Sequence, residues 1–381
     1  MPFAIHTGVY TPAAGATNAT TGQVIQSAIW NSIHADLSSA LTALAQGSQP
    51  LLCPMSFHNV LNRNGSFDIW QRGAGSSASI TITGAATVYT ADGWYFVSGA
   101  NQTCNASAQA ALVNGSLLSG QFQRNSGSTG VTALTLGFPL DTDEVDALCG
   151  HMVALSFVAK TGANWSPTVG LVVNVFTGTA APTKQVNGYS GQAAPISTTV
   201  AMAASATTTV QLTGSAAVGA AITQAEVQLS WTPVGTAGAA DWVQLDDVQL
   251  ETNLAPTQYD RIPFDVCLAR SMRHYQKTFN YTVAPAQAAG TVGAIAALIP
   301  VANSAGQGRW DFNPPLRAAP SVTTYSPTSA NADWRNITGS ADVVPTVDAN
   351  TLSPQRALIY SATVAAASSL LAIHAQADAG I

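Results

Sequence analysis

Short runs in which apolar and polar residues alternate fill most of the chain between residues 57 and 263. In the run at 242–251, strict alternation places Trp242 and Val248 on one face of a strand and Leu245 on the other. Clusters of Gly, Asn, Ser and Thr separate the runs, and this spacing predicts a β-sandwich. The other clear runs are residues 79–83, 151–159, 170–176, 207–213 and 226–231.

A helical period replaces the strand period between residues 22 and 46. Apolar residues recur there at spacings of three and four, which places them on one side of a helix. The stripe fits a short coiled-coil seam, but further apolar residues widen it, so packing against a neighbouring surface fits equally well. Residues 1–20 are rich in small residues and turn formers, which predicts an extended tether. The candidate docking and oligomerisation residues are Trp30, Ile33, Leu37 and Leu44.

Two short helical signals and a second set of β-prone runs complete the pattern. Acidic residues crowd the start of segment 141–150, where a helix dipole favours them, so one helical turn is expected. A helical signal at 265–279 marks a junction, and β-prone runs follow at 312–325 and 357–364. The predicted fold is mostly β, with an N-terminal tether and helix at 1–56, a β-sandwich at 57–263 and a smaller C-terminal β-sandwich at 264–381.

Composition narrows the range of partners. Charged residues make up 8% of the chain, against about 25% in average proteins, and the formal net charge is -6. No basic surface for a phosphate backbone is expected, so no nucleic-acid partner is predicted. No run reaches the roughly 18 unbroken apolar residues of a membrane helix, and the first residues lack a secretory signal. The four cysteines form no C-x-x-C pair and are expected to be buried thiols.

The sequence lacks the short motifs by which many enzymes are recognised. It contains no G-x-S-x-G, no G-x-x-x-x-G-K-[ST] and no H-E-x-x-H. The six histidines are scattered singly along the chain. Paired carboxylates can meet in space without a sequence signature, so a polysaccharide-degrading enzyme stays open as an alternative. We therefore predict a protein without catalytic residues.

Five segments resemble parts of tailed-bacteriophage tail fibres and related virion appendage proteins. The first is R-N-G-S-F-D-I-W-Q-R-G at 63–73, followed by V-Y-T-A-D-G-W-Y-F at 88–96, where Gly93 replaces the arginine usual in the module. L-D-D-V-Q-L-E-T-N-L-A-P-T-Q-Y-D-R at 245–261 resembles the module's closing strand and exit. C-L-A-R-S-M-R-H-Y-Q-K at 267–277 is similar to the helix that usually follows, and the C-terminal I-H-A-Q-A-D-A-G-I resembles the end of the fibre's last domain.

The resemblance implies a phage virion structural protein, either a tail fibre or a receptor-binding appendage that contacts the host surface, with glycan as the expected ligand. Such fibres are commonly homotrimers, and the N-terminal region is expected to dock onto other virion proteins. The implied location is the virion, as a tail or head appendage made in the host cytoplasm without a signal peptide. A head fibre or capsid decoration protein with the same modules remains an alternative, as does an adhesive module without sugar specificity.

The opening N-G-S-F-D and the closing D-D-V also resemble the frame of carbohydrate-binding jelly rolls, which implies that the sandwich at 57–263 is a jelly roll. In such modules an acidic residue of the last strand and groups from the first often hold a structural Ca²⁺. Carried over, Asp247 is the expected ligand, and Asp68 is the candidate from the opening segment. The alternative is that Asp68 pairs with Arg72 and that Asp247 accepts backbone N–H groups. No other cofactor is expected.

The opening stretch 64–73 is interpreted as part of a wall. A turn at its start would precede an extended run, with Phe67 facing the core and Trp70 on the opposite side. Trp94 and Tyr95 are neighbours on a strand, so one of them is expected to face outward. Exposed aromatic rings suit sugar faces because they offer flat apolar area. The candidate carbohydrate-binding residues are Trp70, Trp94 and Tyr95.

Overall fold

The computed structural model describes residues 59–381, and these residues are mostly β. They form one compact unit. The domain boundary between 263 and 264 stays a prediction. The predicted tether, the predicted helix at 22–46 and its candidate docking residues Trp30, Ile33, Leu37 and Leu44 lie outside the described residues.

The strands between residues 79 and 251 form two 6-stranded antiparallel sheets. They are β1 (Ser79–Thr83), β2 (Ala86–Tyr89), β3 (Tyr95–Ser98), β4 (Thr103–Ala110), β5 (Leu118–Arg124), β6 (Leu134–Pro139), β7 (Ala154–Thr161), β8 (Leu171–Gly178), β9 (Ala193–Val200), β10 (Thr207–Thr213), β11 (Gln224–Trp231) and β12 (Trp242–Glu251). The first sheet has the order β1-β4-β5-β12-β7-β10, and the second has the order β2-β3-β6-β11-β8-β9. Strands β5 to β12 therefore have the connectivity of a jelly roll, which confirms the predicted fold.

The strand β12 has the predicted bounds, but its alternation changes phase at a β-bulge. Asp247 has a positive φ of 50°, and the pairing with β7 shifts at this point. A bulge adds one residue to one strand, so the side chains after it change face. Val248 consequently joins Leu245 in the core, and its predicted placement on the face of Trp242 is wrong.

The two sheets enclose one core in which aromatic rings contact one another. The ring centroids of Trp94 and Phe138 lie 5.0 Å apart. Phe96 lies 5.6 Å from Phe122 and 5.9 Å from Trp231. Because all five side chains are buried, they supply a large share of the apolar area that stabilises the jelly roll.

Short helices connect the strands. A 3-10 helix covers Gly75–Ser77, α1 covers Thr142–Asp146 and α2 covers Phe264–Met272. The start of α1 carries a capping box, in which the Asp141 side chain accepts from the backbone and the Glu144 side chain accepts from the Asp141 N–H. The predicted helical turn is therefore confirmed. No helix within residues 59–381 is long and apolar enough to cross a membrane.

The strands after α2 build a second, smaller sandwich. They are β13 (Tyr275–Lys277), β14 (Ile295–Ile299), β15 (Gln307–Asp311), β16 (Ser321–Tyr325), β17 (Trp334–Asn336), β18 (Ala341–Val343), β19 (Pro345–Val347), β20 (Arg356–Ser361) and β21 (Ser369–Asp378). The long β21 is the centre of the larger sheet and pairs with β13, β14, β16 and β17, while β15, β20 and β19 form a 3-stranded sheet. Trp334, Ile359 and Leu371 from the two sheets share one apolar core, as the smaller C-terminal sandwich requires.

Candidate functional site

The opening stretch 64–73 consists of turns rather than an extended run, which corrects the sequence prediction. Phe67 has a positive φ of 59°, so the chain reverses there instead of alternating. The Asn64 carboxamide holds the turns, because its Nδ2 donates to Ile69 O at 2.8 Å and its Oδ1 accepts from Ile69 N at 2.9 Å. Phe67, Ile69 and Trp70 all point into the interior.

Trp70 and Trp94, two of the candidate sugar-binding residues, belong to the core wall. The Trp94 ring stacks on Phe67 with 4.7 Å between centroids, and its Nε1 donates to Asn64 O at 2.9 Å. Trp70 Nε1 donates to Phe67 O at 2.6 Å. Both indoles are 0% exposed, so neither offers a face to a sugar, and their predicted role is corrected accordingly.

Tyr95, the third candidate, lies on the outer face of the second sheet, opposite in direction to Trp94. Its hydroxyl donates to Glu226 Oε1 at 2.5 Å. Gly137 makes this contact possible, because a Cβ there would lie 2.5 Å from Tyr95 Oη and 2.6 Å from Glu226 Oε1. The Tyr95 ring is nevertheless 0% exposed and presents no free face.

The segment 179–192 covers this part of the outer face. Gln185 N donates to Glu226 Oε2 at 2.9 Å. Lys184 Nζ lies 6.0 Å from the centroid of the Tyr95 ring, which places a cation over an aromatic face. The segment therefore buries the tyrosine and the glutamate together.

Burial changes the protonation of this pair. It raises the pKa of Glu226 from 4.5 to about 7, although hydrogen bonds from Tyr95, Gln185 N and Gln228 act in the opposite direction. Burial and the adjacent Glu226 also raise the pKa of Tyr95, so the phenol keeps its proton. Above neutral pH the glutamate is thus an ionised acceptor held by three donors.

A row of polar side chains crosses the outer face beside this pair, and we call it the outer row. Gly137 is the register partner of Tyr95 and of Gln228, and Asn174 is the partner of Gln228 and of Ser197. The row therefore crosses β3, β6, β11, β8 and β9. Gln228 is partly exposed and Ser197 is exposed. Hydroxyls and carboxamides both donate and accept, so they suit sugar hydroxyls.

The sequence does not single out Glu226, Gln228 and Asn174 as site residues, although it contains a signal for the first two. In E-V-Q-L-S-W at 226–231, Val227 and Leu229 face the core, so Glu226 and Gln228, which alternate with them, face outward. What the sequence could not show is the strand order. Only the pairing of β11 with β6 and β8 brings these side chains into line with Tyr95.

Asp68, one of the two predicted calcium ligands, accepts hydrogen bonds on both of its carboxylate oxygens. Its Oδ1 accepts from Leu117 N at 3.2 Å and from Leu118 N at 2.8 Å. Its Oδ2 accepts from Ser66 Oγ at 2.7 Å. Two donors thus occupy Oδ1 and one occupies Oδ2, so three of the carboxylate's roughly four lone-pair positions are used within the fold.

Asp247, the other predicted ligand, is paired with a guanidinium. Arg261 Nη2 lies 2.7 Å from Asp247 Oδ2, and Asp247 Oδ1 is buried without a hydrogen-bond partner among the described residues. Burial and the neighbouring Asp246 raise the pKa of Asp247 to about 7. Calcium takes about six to eight oxygen ligands, so one open oxygen beside a fixed cation does not fit it. Residues 59–381 contain no group of three or more His, Cys, Asp or Glu side chains placed to hold a metal.

The alternative pairings expected for these acids are also wrong. Arg72 does not contact Asp68 but lies 2.7 Å from Asp378 and 3.7 Å from Asp92. Asp247 accepts from a side-chain guanidinium rather than from backbone N–H groups. The reason is topological, because the turns of the opening stretch send Arg72 toward β21.

The segments that carry the phage resemblance meet at one junction. Gln71 N donates to Asp92 Oδ2 at 2.6 Å, which links the opening segment to the second one. Val248 N donates to Gly65 O at 2.9 Å, which links the opening segment to the closing strand. Three stretches that are far apart in sequence therefore build one hydrogen-bonded frame.

The opening segment also binds the elements that follow the jelly roll. Ser271 Oγ in α2 donates to Arg63 O at 3.0 Å. The Arg72 guanidinium lies over the Tyr275 ring at 4.1 Å and pairs with Asp378 near the end of β21. The jelly roll and the C-terminal sandwich are thus tied through the same short stretch.

A polar cavity of about 200 Å³ lies beside this junction. In its wall, Arg63 lies 3.0 Å from Glu144, and Arg273 lies 3.4 Å from Asp143. Burial lowers the pKa of His274 to about 2, and the Arg63 charge acts in the same direction, so the imidazole is neutral. The Arg273–Asp143 pair links the C-terminal end of α2 to α1, whereas the Arg63–Glu144 pair links the opening segment to α1. The remaining lining residues are Asn62, Asp141 and Arg270.

No family model matches the sequence, and no curated protein matches it. Solved structures that are similar in part include the enzymatically active domain of tailspike protein 4 of bacteriophage CBA120, with 9% identity, a TM-score of 0.28, and coverage of 51% of this chain and 21% of that one. They also include the xylan-binding domain from Paenibacillus barcinonensis (15% identity, TM-score 0.27, 45% of this chain and 98% of that one).

A family 11 carbohydrate-binding module from Clostridium thermocellum is similar at 10% identity and a TM-score of 0.25, over 45% of this chain and 98% of that one. This chain spans only 21% of the length of the tailspike chain. The structural neighbours thus include a phage tailspike domain and carbohydrate-binding modules. Likenesses of this size carry no information about function.

Proposed function

We propose that this chain is a structural protein of a phage virion, a tail fibre or receptor-binding appendage that contacts a glycan on the host surface. The observation that carries the proposal is the junction. The segments that resemble the phage module are spread from residue 63 to the C-terminus, yet Gln71, Arg72 and Gly65 bind them into one frame. The segments that carry the resemblance therefore contact one another in the fold.

The outer row supports glycan as the ligand. Gln228 and Ser197 present neutral donors and acceptors on the outer face, while Asn174 between them and Tyr95 at the end of the row are buried. Neutral groups can replace the water that hydrates sugar hydroxyls without burying an ionised side chain. A single site of this kind is weak, and several copies on one appendage would raise the avidity.

The proposal includes a homotrimer whose N-terminal region docks onto other virion proteins. Low charge agrees with this assembly, because the centres of subunit interfaces are depleted in charged residues. It also treats the chain as a display scaffold without catalysis. The interior acids support that part of the proposal, since Glu226, Asp246 and Asp68 each accept hydrogen bonds that fix them in the fold.

Competition with phage adsorption tests the proposal. Purified chain added to host cells before the phage is expected to slow adsorption in proportion to its concentration. Ser197→Arg places a long cation on the outer row and is expected to abolish competition. Thr209→Arg is the matched control, because Thr209 is an exposed strand residue of the other sheet.

Two results would contradict the proposal. One is unchanged adsorption at every concentration of the wild-type chain, and the other is equal competition by Ser197→Arg and by the wild type. Host polysaccharide incubated with the chain is expected to keep its length. Shortened polysaccharide would show instead that the chain is an enzyme.

A further inference from the structure

The exit segment after β12 places a guanidinium where the family resemblance leads one to expect a metal ion. Arg261 Nη2 lies 2.7 Å from Asp247 Oδ2, and the same nitrogen lies 3.4 Å from Asn114 O. Gly115 allows this approach, because a Cβ there would lie 3.1 Å from Arg261 Nε. The Arg261 guanidinium also lies 5.2 Å from the centroid of the Tyr259 ring.

Two acids of the fold, Asp246 and Asp68, accept hydrogen bonds from the turn at 112–118. Asp246 accepts from Leu112 N at 2.8 Å and from Ser116 Oγ at 2.9 Å. Asp68 accepts from Leu118 N at 2.8 Å. These two carboxylates are thus neutralised in part by backbone and hydroxyl donors.

Asp247 differs from the other two acids, because it is held by a charged side chain. Its side chain is 6% exposed, and its backbone has the positive φ of a bulge. An ionised carboxylate at such a position requires a counter-charge, since burying it alone is costly. Arg261 is the cation in contact with it.

We propose that the Arg261 guanidinium takes the place of a structural calcium ion in this jelly roll. It neutralises Asp247 at the bulge of β12 and, through Asn114 O, ties the exit segment to the turn at 112–118. Nη2 carries two hydrogens, so this one nitrogen can donate to both oxygens. The closing strand is therefore held without a divalent cation.

The wild-type chain gives the first test. After dialysis against calcium chloride and desalting, elemental analysis is expected to find far less than one calcium per chain. The unfolding temperature is expected to be the same in EDTA and in millimolar calcium, within about 1 °C. One calcium retained per chain, or a fall in the unfolding temperature caused by EDTA, would overturn the proposal whatever any variant does.

A charge-neutralising variant gives the second test. At pH 8.5, where Asp247 is ionised, Arg261→Gln is expected to lower the unfolding temperature by about 3–8 °C, because it leaves Asp247 buried without its counter-charge. Arg309→Gln is the matched control, since Arg309 pairs with Asp311 at an exposed position and its loss should shift the temperature by about 1 °C or less.

The effect of Arg261→Gln is also expected to depend on Asp247. In an Asp247→Asn background no buried charge remains to be neutralised, so Arg261→Gln is expected to lose most of its effect. An equal fall in the wild-type and Asp247→Asn backgrounds would show that Arg261 acts through packing alone, and that result would overturn the proposal.

Discussion

Removal of the Tyr95 hydroxyl tests the outer face most sharply. Tyr95→Phe keeps the ring, which is 0% exposed, and deletes the donor that lies 2.5 Å from Glu226 Oε1. Glu226 then keeps the donors Gln185 N at 2.9 Å and Gln228 Nε2 at 3.2 Å. The substitution therefore isolates one buried hydrogen bond to an acid.

The expected loss follows from the protonation of Glu226. A hydrogen bond to a charged group contributes about 1.5–3 kcal/mol, whereas neutral pairs contribute about 1 kcal/mol. Because burial raises the pKa of Glu226 to about 7, the acid is ionised at pH 8 and largely protonated at pH 5.5. Tyr95→Phe should cost about 2 kcal/mol at pH 8 and roughly half of that at pH 5.5.

Urea unfolding followed by tryptophan fluorescence measures this difference. Tyr360→Phe is the matched control, because the Tyr360 hydroxyl makes only an exposed contact with Gln307 Nε2 at 3.3 Å. The control should change the unfolding free energy by about 0.5 kcal/mol or less at both pH values. Equal losses for the two variants, or a larger Tyr95→Phe loss at pH 5.5 than at pH 8, would refute the reasoning.

Three further predictions concern stability. Because the pKa of Glu226 is raised from 4.5 to about 7 in the folded chain, its contribution to the free energy of unfolding is complete below about pH 4.5 and is lost as the pH rises through about 7, by up to about 3 kcal/mol. Glu226→Gln should therefore flatten this part of the plot of unfolding free energy against pH, measured by urea unfolding. Trp94→Ala should cost about 3–5 kcal/mol by the same assay, and Trp242→Ala, at a partly exposed position, less than half as much. Arg72→Lys should lower the free energy of unfolding by about 1–3 kcal/mol and speed limited proteolysis of the C-terminal sandwich, because lysine cannot both pair with Asp378 and stack on Tyr275. An unchanged digestion pattern would contradict this prediction.

The strands were the most predictable part of the fold. The runs at 79–83, 207–213 and 242–251 match β1, β10 and β12 in their bounds. More exposed and less exposed residues alternate in β1 and β10, whereas β12 is buried along almost its whole length. Alternation failed where the backbone left the strand conformation. Nothing in the sequence D-D-V marks Asp247 as the residue with a positive φ. The bulge there, and the change of face at Val248 that it causes, could therefore not be predicted.

The candidate site was predicted less well than the fold. The opening stretch contains three apolar or aromatic residues, Phe67, Ile69 and Trp70, but the Asn64 carboxamide bends it into turns and buries Trp70. Trp94 and Tyr95 were correctly expected on opposite faces. The partners of Tyr95 could not be predicted, because the segment carrying Gln185 and the strand carrying Glu226 come together only through the order of the second sheet.

The central claim is that this chain is a display scaffold on a phage particle. Immunogold labelling of purified particles with antibodies against residues 59–381 tests it most directly. The account predicts gold at the distal end of a tail appendage, together with peptides of this chain in the particle digest. Particles that carry neither the label nor the peptides would contradict it, and label confined to capsid vertices would move the chain to the head.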